Sequence, residues 1–140
     1  MNESPIKNRL IKKLSPSQKK GQHFEHFAEH YLKKRGLKLV SRNYSCRFGE
    51  IDLIMRDGES LVFVEVRYRK NPLFGTALDS ITPTKQKKIS KTAQHYLQTH
   101  DWANKLFCRF DALGIIGNKD QRMPNKANYK AEWIKDAFSL

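Results

Sequence analysis

The chain has 140 residues, 39% hydrophobic and 29% charged, which is enough to form a core of its own and excludes a disordered chain. Its 27 Lys and Arg outnumber its 14 Asp and Glu, and a formal net charge of +13 is typical of a protein that binds a phosphate backbone, so nucleic acid is the expected partner. The longest apolar run, Leu61-Val62-Phe63-Val64, is too short to span a membrane, and no apolar stretch follows the basic N-terminus as a secretory signal requires. Cys46 and Cys108 stand alone in the sequence. We therefore expect a cytoplasmic protein with reduced thiols.

The first 20 residues hold six Lys and Arg, one Glu and two prolines, and they have no face that a core could bury. We interpret residues 1–20 as a flexible basic arm. Residues 21–140 are then expected to form a single domain, since no repeat and no second boundary follows.

The elements of this domain follow from the spacing of its apolar residues. Residues 22–35 have the three- and four-residue periodicity of an amphipathic helix, and Gly36 marks its end. The segments that follow are three strands at residues 37–44, 50–56 and 61–68, a helix at 83–99, a strand at 106–116, and a short closing helix or strand at 131–138. The order α-β-β-β-α-β predicts an α/β fold, a mixed sheet of about four strands flanked by helices.

The second and third strands form a hairpin through the turn signal Asp57-Gly58. Side chains alternate along a strand, so Ile51, Leu53 and Met55 are expected on one face of the second strand and Asp52 on the other. On the third strand Glu65, Arg67 and Arg69 share a face. If the turn has two residues, Asp52 and Glu65 lie on the same face, either directly opposed or one diagonal step apart.

Two neighbouring carboxylates repel each other, and a cation between them relieves that repulsion. Mg²⁺ is one solution, because it takes one or two protein carboxylates, keeps several waters and binds substrate phosphate. Such a metal polarises a phosphodiester for in-line attack, with Arg67 and Arg69 to neutralise phosphate charge. The alternative is that the two arginines only form surface salt bridges with Glu65 and Asp52, and the spacing alone does not decide between the two.

The second helix has a basic N-terminal half. Its four lysines are Lys85, Lys87, Lys88 and Lys91. We interpret them as phosphate contacts, to which the N-terminus of the helix adds positive potential. An ordinary solvated helix face is the alternative.

Two stretches of the hairpin, Gly49-Glu50-Ile51-Asp52-Leu53-Ile54 and Val62-Phe63-Val64-Glu65-Val66-Arg67-Tyr68-Arg69, resemble the signature of the YraN-like family. This is a family of uncharacterised bacterial proteins with an endonuclease-like fold, related to the Holliday-junction-resolvase branch of the PD-(D/E)xK nucleases. The likeness runs from Gly21 to about Phe138. It also covers Glu25 with Ala28 and Tyr31-Leu32, Asn43, Lys85, Arg109-Phe110-Asp111 and Ala137-Phe138.

The resemblance implies a restriction-endonuclease-like fold and a metal-dependent DNA endonuclease or resolvase-like activity on branched or damaged DNA. It implies that Asp52 and Glu65 are ligands of Mg²⁺ or Mn²⁺, and that Glu25 is a further acidic member of the catalytic site. Resolvase-like proteins act as dimers, so a homodimer is an arrangement that this activity allows.

The sequence departs from the family at Arg67, where a lysine is usual. Lysine orients or deprotonates a water, whereas arginine stays protonated and only stabilises negative charge. Lys70 and Lys85 are other sources of an amine, although nothing in the sequence shows that either reaches the site. Two functions therefore stay open, an endonuclease in which Arg67 serves and a non-catalytic nucleic-acid-binding module. An adaptor for an acidic protein partner is a third interpretation.

Overall fold

Two helices and five strands are formed by residues 14–69, 75–119 and 127–139, which the computed structural model describes. The predicted arm lies largely outside this description, as does Lys70. In chain order the elements are α1 (Pro16–Lys34), β1 (Lys38–Cys46), β2 (Gly49–Asp57), β3 (Ser60–Arg69), α2 (Pro83–Thr99), β4 (Phe107–Lys119) and β5 (Ala127–Phe138), with short 3₁₀ helices at Leu78–Ser80 and Asp101–Lys105.

The strands form one mixed sheet in the order β1-β2-β3-β4-β5. Every neighbouring pair is antiparallel except β3 and β4, which run parallel from Ser60↔Phe107 to Arg69↔Ile116. A parallel pair needs a crossover, and α2 supplies it. The predicted α/β class is confirmed, and the closing segment is a strand that adds a fifth member to the sheet.

The first helix begins earlier than the sequence predicted. Ser15 caps it, because the Ser15 Oγ accepts from the Gln18 amide at 3.2 Å while the Gln18 side chain accepts from the Ser15 amide at 2.8 Å. Pro16 is the first helical residue, where a missing N–H costs nothing. Residues 16–20 are therefore helical, and the helix begins six residues before the start predicted at Gln22.

The helices cover opposite faces of the sheet. Phe24, Ala28 and Leu32 of α1 pack on one face, and their partners on the sheet are Leu53, Met55, Val62, Val64, Leu113 and Ile115. Ile89, Ala93 and Tyr96 of α2 pack on the other, against Ile51, Ile54, Leu61, Phe63, Phe110 and Ala112. Each buried Val, Leu, Ile, Met or Phe side chain among them contributes about 1.5–3 kcal/mol of transfer free energy. Among the described residues, no helix has the length and apolar character needed to cross a membrane.

Candidate metal centre

The turn between β2 and β3 has two residues. Asp57 pairs with Ser60, and Gly58 and Glu59 form the turn, with a φ of 60° at Gly58 that glycine adopts without strain. This was the condition under which the two predicted ligands share a face. The register runs through Ile54↔Phe63 to its last pair, Leu53↔Val64, and Asp52 and Glu65 are the next residues of the two strands beyond that pair.

The two strands separate at this step. Backbone pairing ends at Leu53↔Val64, and beyond it the amide of Val66 donates to Asp52 Oδ2 at 2.8 Å. A side-chain oxygen thus replaces a backbone carbonyl as the acceptor for β3. Asp52 is held at the fork of the hairpin, beside the buried carboxylate of Glu65.

Side-chain alternation breaks at the same place, and one prediction fails there. Ile51 packs on the α2 side with Ile54, whereas Leu53 packs on the α1 side, so Ile51 does not share a face with Leu53 as expected. The cause lies in β1, where Asn43 has a φ of 51° and the flanking pairs are Arg42↔Leu53 and Tyr44↔Ile51. The left-handed conformation of Asn43 changes the direction of the β1–β2 hairpin, which leaves Asp52 at the edge between the two helical layers.

Glu25 approaches the fork from α1. Its side chain is hydrogen-bonded to those of Asn43 and Asp52. The pKa of Glu25 is raised to about 7, first by burial and then by the charges of Asp52 and Glu50, while the hydrogen bond with Asn43 lowers it. The helix residue that the resemblance implied as a site acid therefore does contact a predicted metal ligand.

Glu65 lies on the α2 side of the fork and is only 5% exposed. Burial and the charge of Asp52 raise the pKa of Glu65 to about 7, although Lys85 and Arg67 act against this. The Lys85 Nζ lies 3.1 Å from Glu65 Oε1, and the Arg67 Nη2 lies 3.7 Å from the same oxygen. Lys85, whose position the sequence could not determine, is thus the nearer of the two cations.

A cleft of about 390 Å³ opens between this fork and the first turns of α2. Its lining residues are Gly49, Glu50, Asp52, Glu65, Thr82, Thr84, Lys85, Lys88 and Ile89. One wall is acidic and the other basic, which suits a metal ion and a phosphate bound side by side.

The other predicted phosphate contacts lie elsewhere. Lys87 and Lys91 are exposed on α2 but do not line the cleft, and the Arg69 guanidinium donates to the carbonyl of Gly75.

Glu50 is a member of the site that the sequence reasoning did not name as one. It lines the cleft, and burial together with the charge of Asp52 raises its pKa. Its position two residues before Asp52 was the available signal, because alternation places both on one face.

The residues at the fork fit a divalent metal that needs only one or two protein carboxylates. Within the described ranges, no three His, Cys, Asp or Glu side chains are arranged to hold a metal ion together. Mg²⁺ needs only one or two carboxylates and completes its shell with water and phosphate, which Asp52 and Glu65 satisfy. After burial, the charge of Asp52 is the next cause that raises the pKa of Glu25 and of Glu65, and a divalent cation would offset that repulsion.

The pKa of Glu65 predicts how the stability of the metal-free protein varies with pH. The pKa is raised from 4.5 to about 7 on folding, so as the pH rises the unfolded chain loses this proton first. The stability tied to the protonated carboxyl is complete below pH 4.5 and lost as the pH rises through 7. We expect Glu65→Gln to stabilise the protein by about 2 kcal/mol at pH 8 and by little at pH 5. Urea unfolding at both pH values measures this, and equal effects at the two would contradict it.

Residues 24–115 match the uncharacterised protein family UPF0102, and this span includes Glu25, Asp52, Glu65 and Lys85. A UPF0102 protein of Nitrosococcus oceani is 52% identical over 123 residues, which cover 86% of this chain and 92% of the relative. A UPF0102 protein of Nitrosomonas eutropha is 47% identical over 125 residues, which cover 89% of this chain and 97% of the relative. A UPF0102 protein of Legionella pneumophila is 48% identical over 122 residues, which cover 87% of this chain and 96% of the relative. The resemblance to the YraN-like family that the hairpin motifs indicated is confirmed, and the chain belongs to UPF0102.

Proposed function

We propose that this protein is a metal-dependent DNA endonuclease in which Asp52 and Glu65 hold Mg²⁺ or Mn²⁺. The observation that carries the proposal is the pair of carboxylates at the fork of β2 and β3, facing a cleft whose other wall holds Lys85 and Lys88. The formal net charge of +13 supports a polyanionic substrate. The endonuclease-like fold, which the motif resemblance implies, belongs to the same proposal.

The residues around the fork have distinct tasks in phosphodiester hydrolysis. A bound divalent cation would polarise the phosphate and make water more acidic. The Val66 amide keeps the Asp52 carboxylate in place, so that this ligand is oriented before a metal arrives. With its pKa at about 7, Glu25 accepts a proton from the attacking water at neutral pH. Arg67 and Lys85 supply positive charge for the phosphate oxygens.

Branched or damaged DNA is the substrate class that this proposal favours. A four-way junction presents two equivalent strands to cut, so a homodimer would supply one site for each. Such a protein would act in the cytoplasm, where its DNA is.

A second function is favoured by the arginine at position 67. The Arg67 guanidinium lies 3.7 Å from Glu65 and cannot serve as a general base. If no other residue replaces the usual lysine, the protein is a nucleic-acid-binding module that has the site but does not cut. The endonuclease and the binding module would both bind nucleic acid, and only the endonuclease would cut it.

Cleavage assays separate them. End-labelled duplex, flap and four-way-junction DNA would be incubated with Mg²⁺ or Mn²⁺ and the wild type, Glu65→Gln or Glu59→Gln. Glu59 is an exposed residue of the β2–β3 turn and controls for the loss of one carboxylate. We expect the wild type and the control to cut and Glu65→Gln to be at least about 100-fold slower.

Binding without metal is measured in parallel over a range of salt concentrations. Salt-dependent binding with no cutting by the wild type would contradict the endonuclease and establish the binding module. Absence of any DNA binding would contradict both.

A further inference from the structure

Lys85 occupies a position where a lysine does not help its own helix. It lies in the first turn of α2, where the Thr82 Oγ1 caps the Lys85 amide at 3.2 Å. The N-terminal end of a helix carries partial positive charge, so a cation in the first turn is unfavourable there and an acid would be stabilising. The ion pair with Glu65 offsets that cost and directs the Lys85 side chain to the fork of the hairpin.

Arg67 and Lys85 contact the same oxygen of Glu65, and their side chains differ in how freely they can move. The Arg67 side chain is 26% exposed and contacts Oε1 at 3.7 Å, whereas the Lys85 side chain is 42% exposed and contacts it at 3.1 Å. Lysine has a flexible four-carbon stem and three donors, so its ammonium exchanges partners without movement of the backbone. Lys85 is the cation that can leave Glu65 when another positive charge arrives.

The surroundings of Lys85 offer its ammonium a second partner. Lys88 is three residues further along α2, on the same side of the helix, and both lysines line the cleft opposite Asp52 and Glu65. Two lysines at this spacing form a site for phosphate oxygens next to the carboxylates.

We propose that Lys85 is an exchangeable counter-ion and a catalytic residue, which neutralises Glu65 in the metal-free protein and contacts the phosphate of the bound strand once a divalent metal holds Glu65. This inference rests on the proposed function. No bond forms or breaks in the exchange; one ion pair replaces another. Its consequence is that Lys85 competes with the metal for Glu65 and assists the metal-loaded protein afterwards.

The test compares Lys85→Met with Lys105→Met, which removes an exposed lysine from the 3₁₀ helix before β4. Mn²⁺ is titrated calorimetrically into each full-length variant without DNA. Cleavage of a junction substrate is measured separately at saturating Mn²⁺. We expect Lys85→Met to bind Mn²⁺ about tenfold more tightly than wild type, because a competing charge is gone. We expect its cleavage to be about 100-fold slower. Lys105→Met should match the wild type, and Lys85→Arg should keep the wild-type affinity for Mn²⁺.

Each outcome has a definite meaning. Tighter metal binding with unchanged cleavage would overturn the phosphate contact, and unchanged or weaker metal binding would overturn the competition. If the wild type binds Mn²⁺ and cleaves while Lys85→Met behaves as Lys105→Met does, only this inference fails. If the wild type neither binds Mn²⁺ nor cleaves, the proposed function fails and the inference fails with it.

Discussion

Replacing Asp52 with asparagine is expected to reduce metal-dependent cleavage by about three orders of magnitude while leaving the fold intact. The asparagine side chain still offers an oxygen to the Val66 amide, so the fork of the hairpin keeps its shape. The charge that a divalent cation requires is lost, because Asp52 and Glu65 are the two proposed ligands.

The same substitution should lower two pKa values. The charge of Asp52 is the second cause, after burial, of the raised pKa of both Glu25 and Glu65, so its removal should lower each pKa from about 7 by part of the shift. Carboxyl NMR titration of the metal-free protein measures both, with Asp101→Asn, an exposed position before β4, as the control. Unchanged pKa values in Asp52→Asn would mean that the three carboxylates do not interact as described.

Replacing Asp111 with alanine should cost about 3–4 kcal/mol of unfolding free energy, the largest stability effect expected for any change outside the apolar core. Asp111 is 0% exposed and lies where the register between β4 and β5 shifts. One carboxylate oxygen accepts from Arg109 Nε at 3.0 Å and the Asp136 amide at 3.0 Å. The other accepts from the Trp133 indole at 2.9 Å.

Alanine at position 111 would leave these buried donors without their carboxylate acceptor. Trp133 and Asp136 belong to β5, so the loss weakens the attachment of the outermost strand to β4. Arg109 keeps Asp57 as a partner at 3.0 Å, which limits the damage to the lower half of the usual range for a broken buried ion pair. Urea unfolding of Asp111→Ala beside Asp101→Ala measures the effect. A loss below about 1 kcal/mol would contradict the structural role.

The features that the sequence predicted well were those with a local cause. The turn at Gly58 and Glu59 followed from the Asp57-Gly58 signal, and its two-residue length sets the register that ends at Leu53↔Val64, next to Asp52 and Glu65. The periodicity of Phe24, Ala28 and Leu32 predicted the buried face of α1 in the same way.

The features that the sequence did not predict depend on contacts between distant segments or on single backbone angles. Ile51 changed faces because Asn43, which precedes the β1 partner of Ile51, takes a left-handed conformation that periodicity does not reveal. Lys85 reaches Glu65 because α2 crosses over the sheet between β3 and β4, and no spacing along the chain expresses that approach. Pro16 was one of the two prolines in the segment interpreted as a flexible arm, although a proline at the first helical position favours a helix.

The measurement that tests the account most directly is a calorimetric titration of Mn²⁺ into the metal-free wild type, Glu65→Gln and Glu59→Gln. Because Glu65 is buried beside Asp52 whereas Glu59 is an exposed residue of the turn, we predict that the wild type and Glu59→Gln bind the ion with equal affinity. We predict that Glu65→Gln binds it at least about tenfold more weakly. Equal Mn²⁺ affinity in Glu65→Gln and the wild type would contradict the assignment of the carboxylates at the fork as a metal centre.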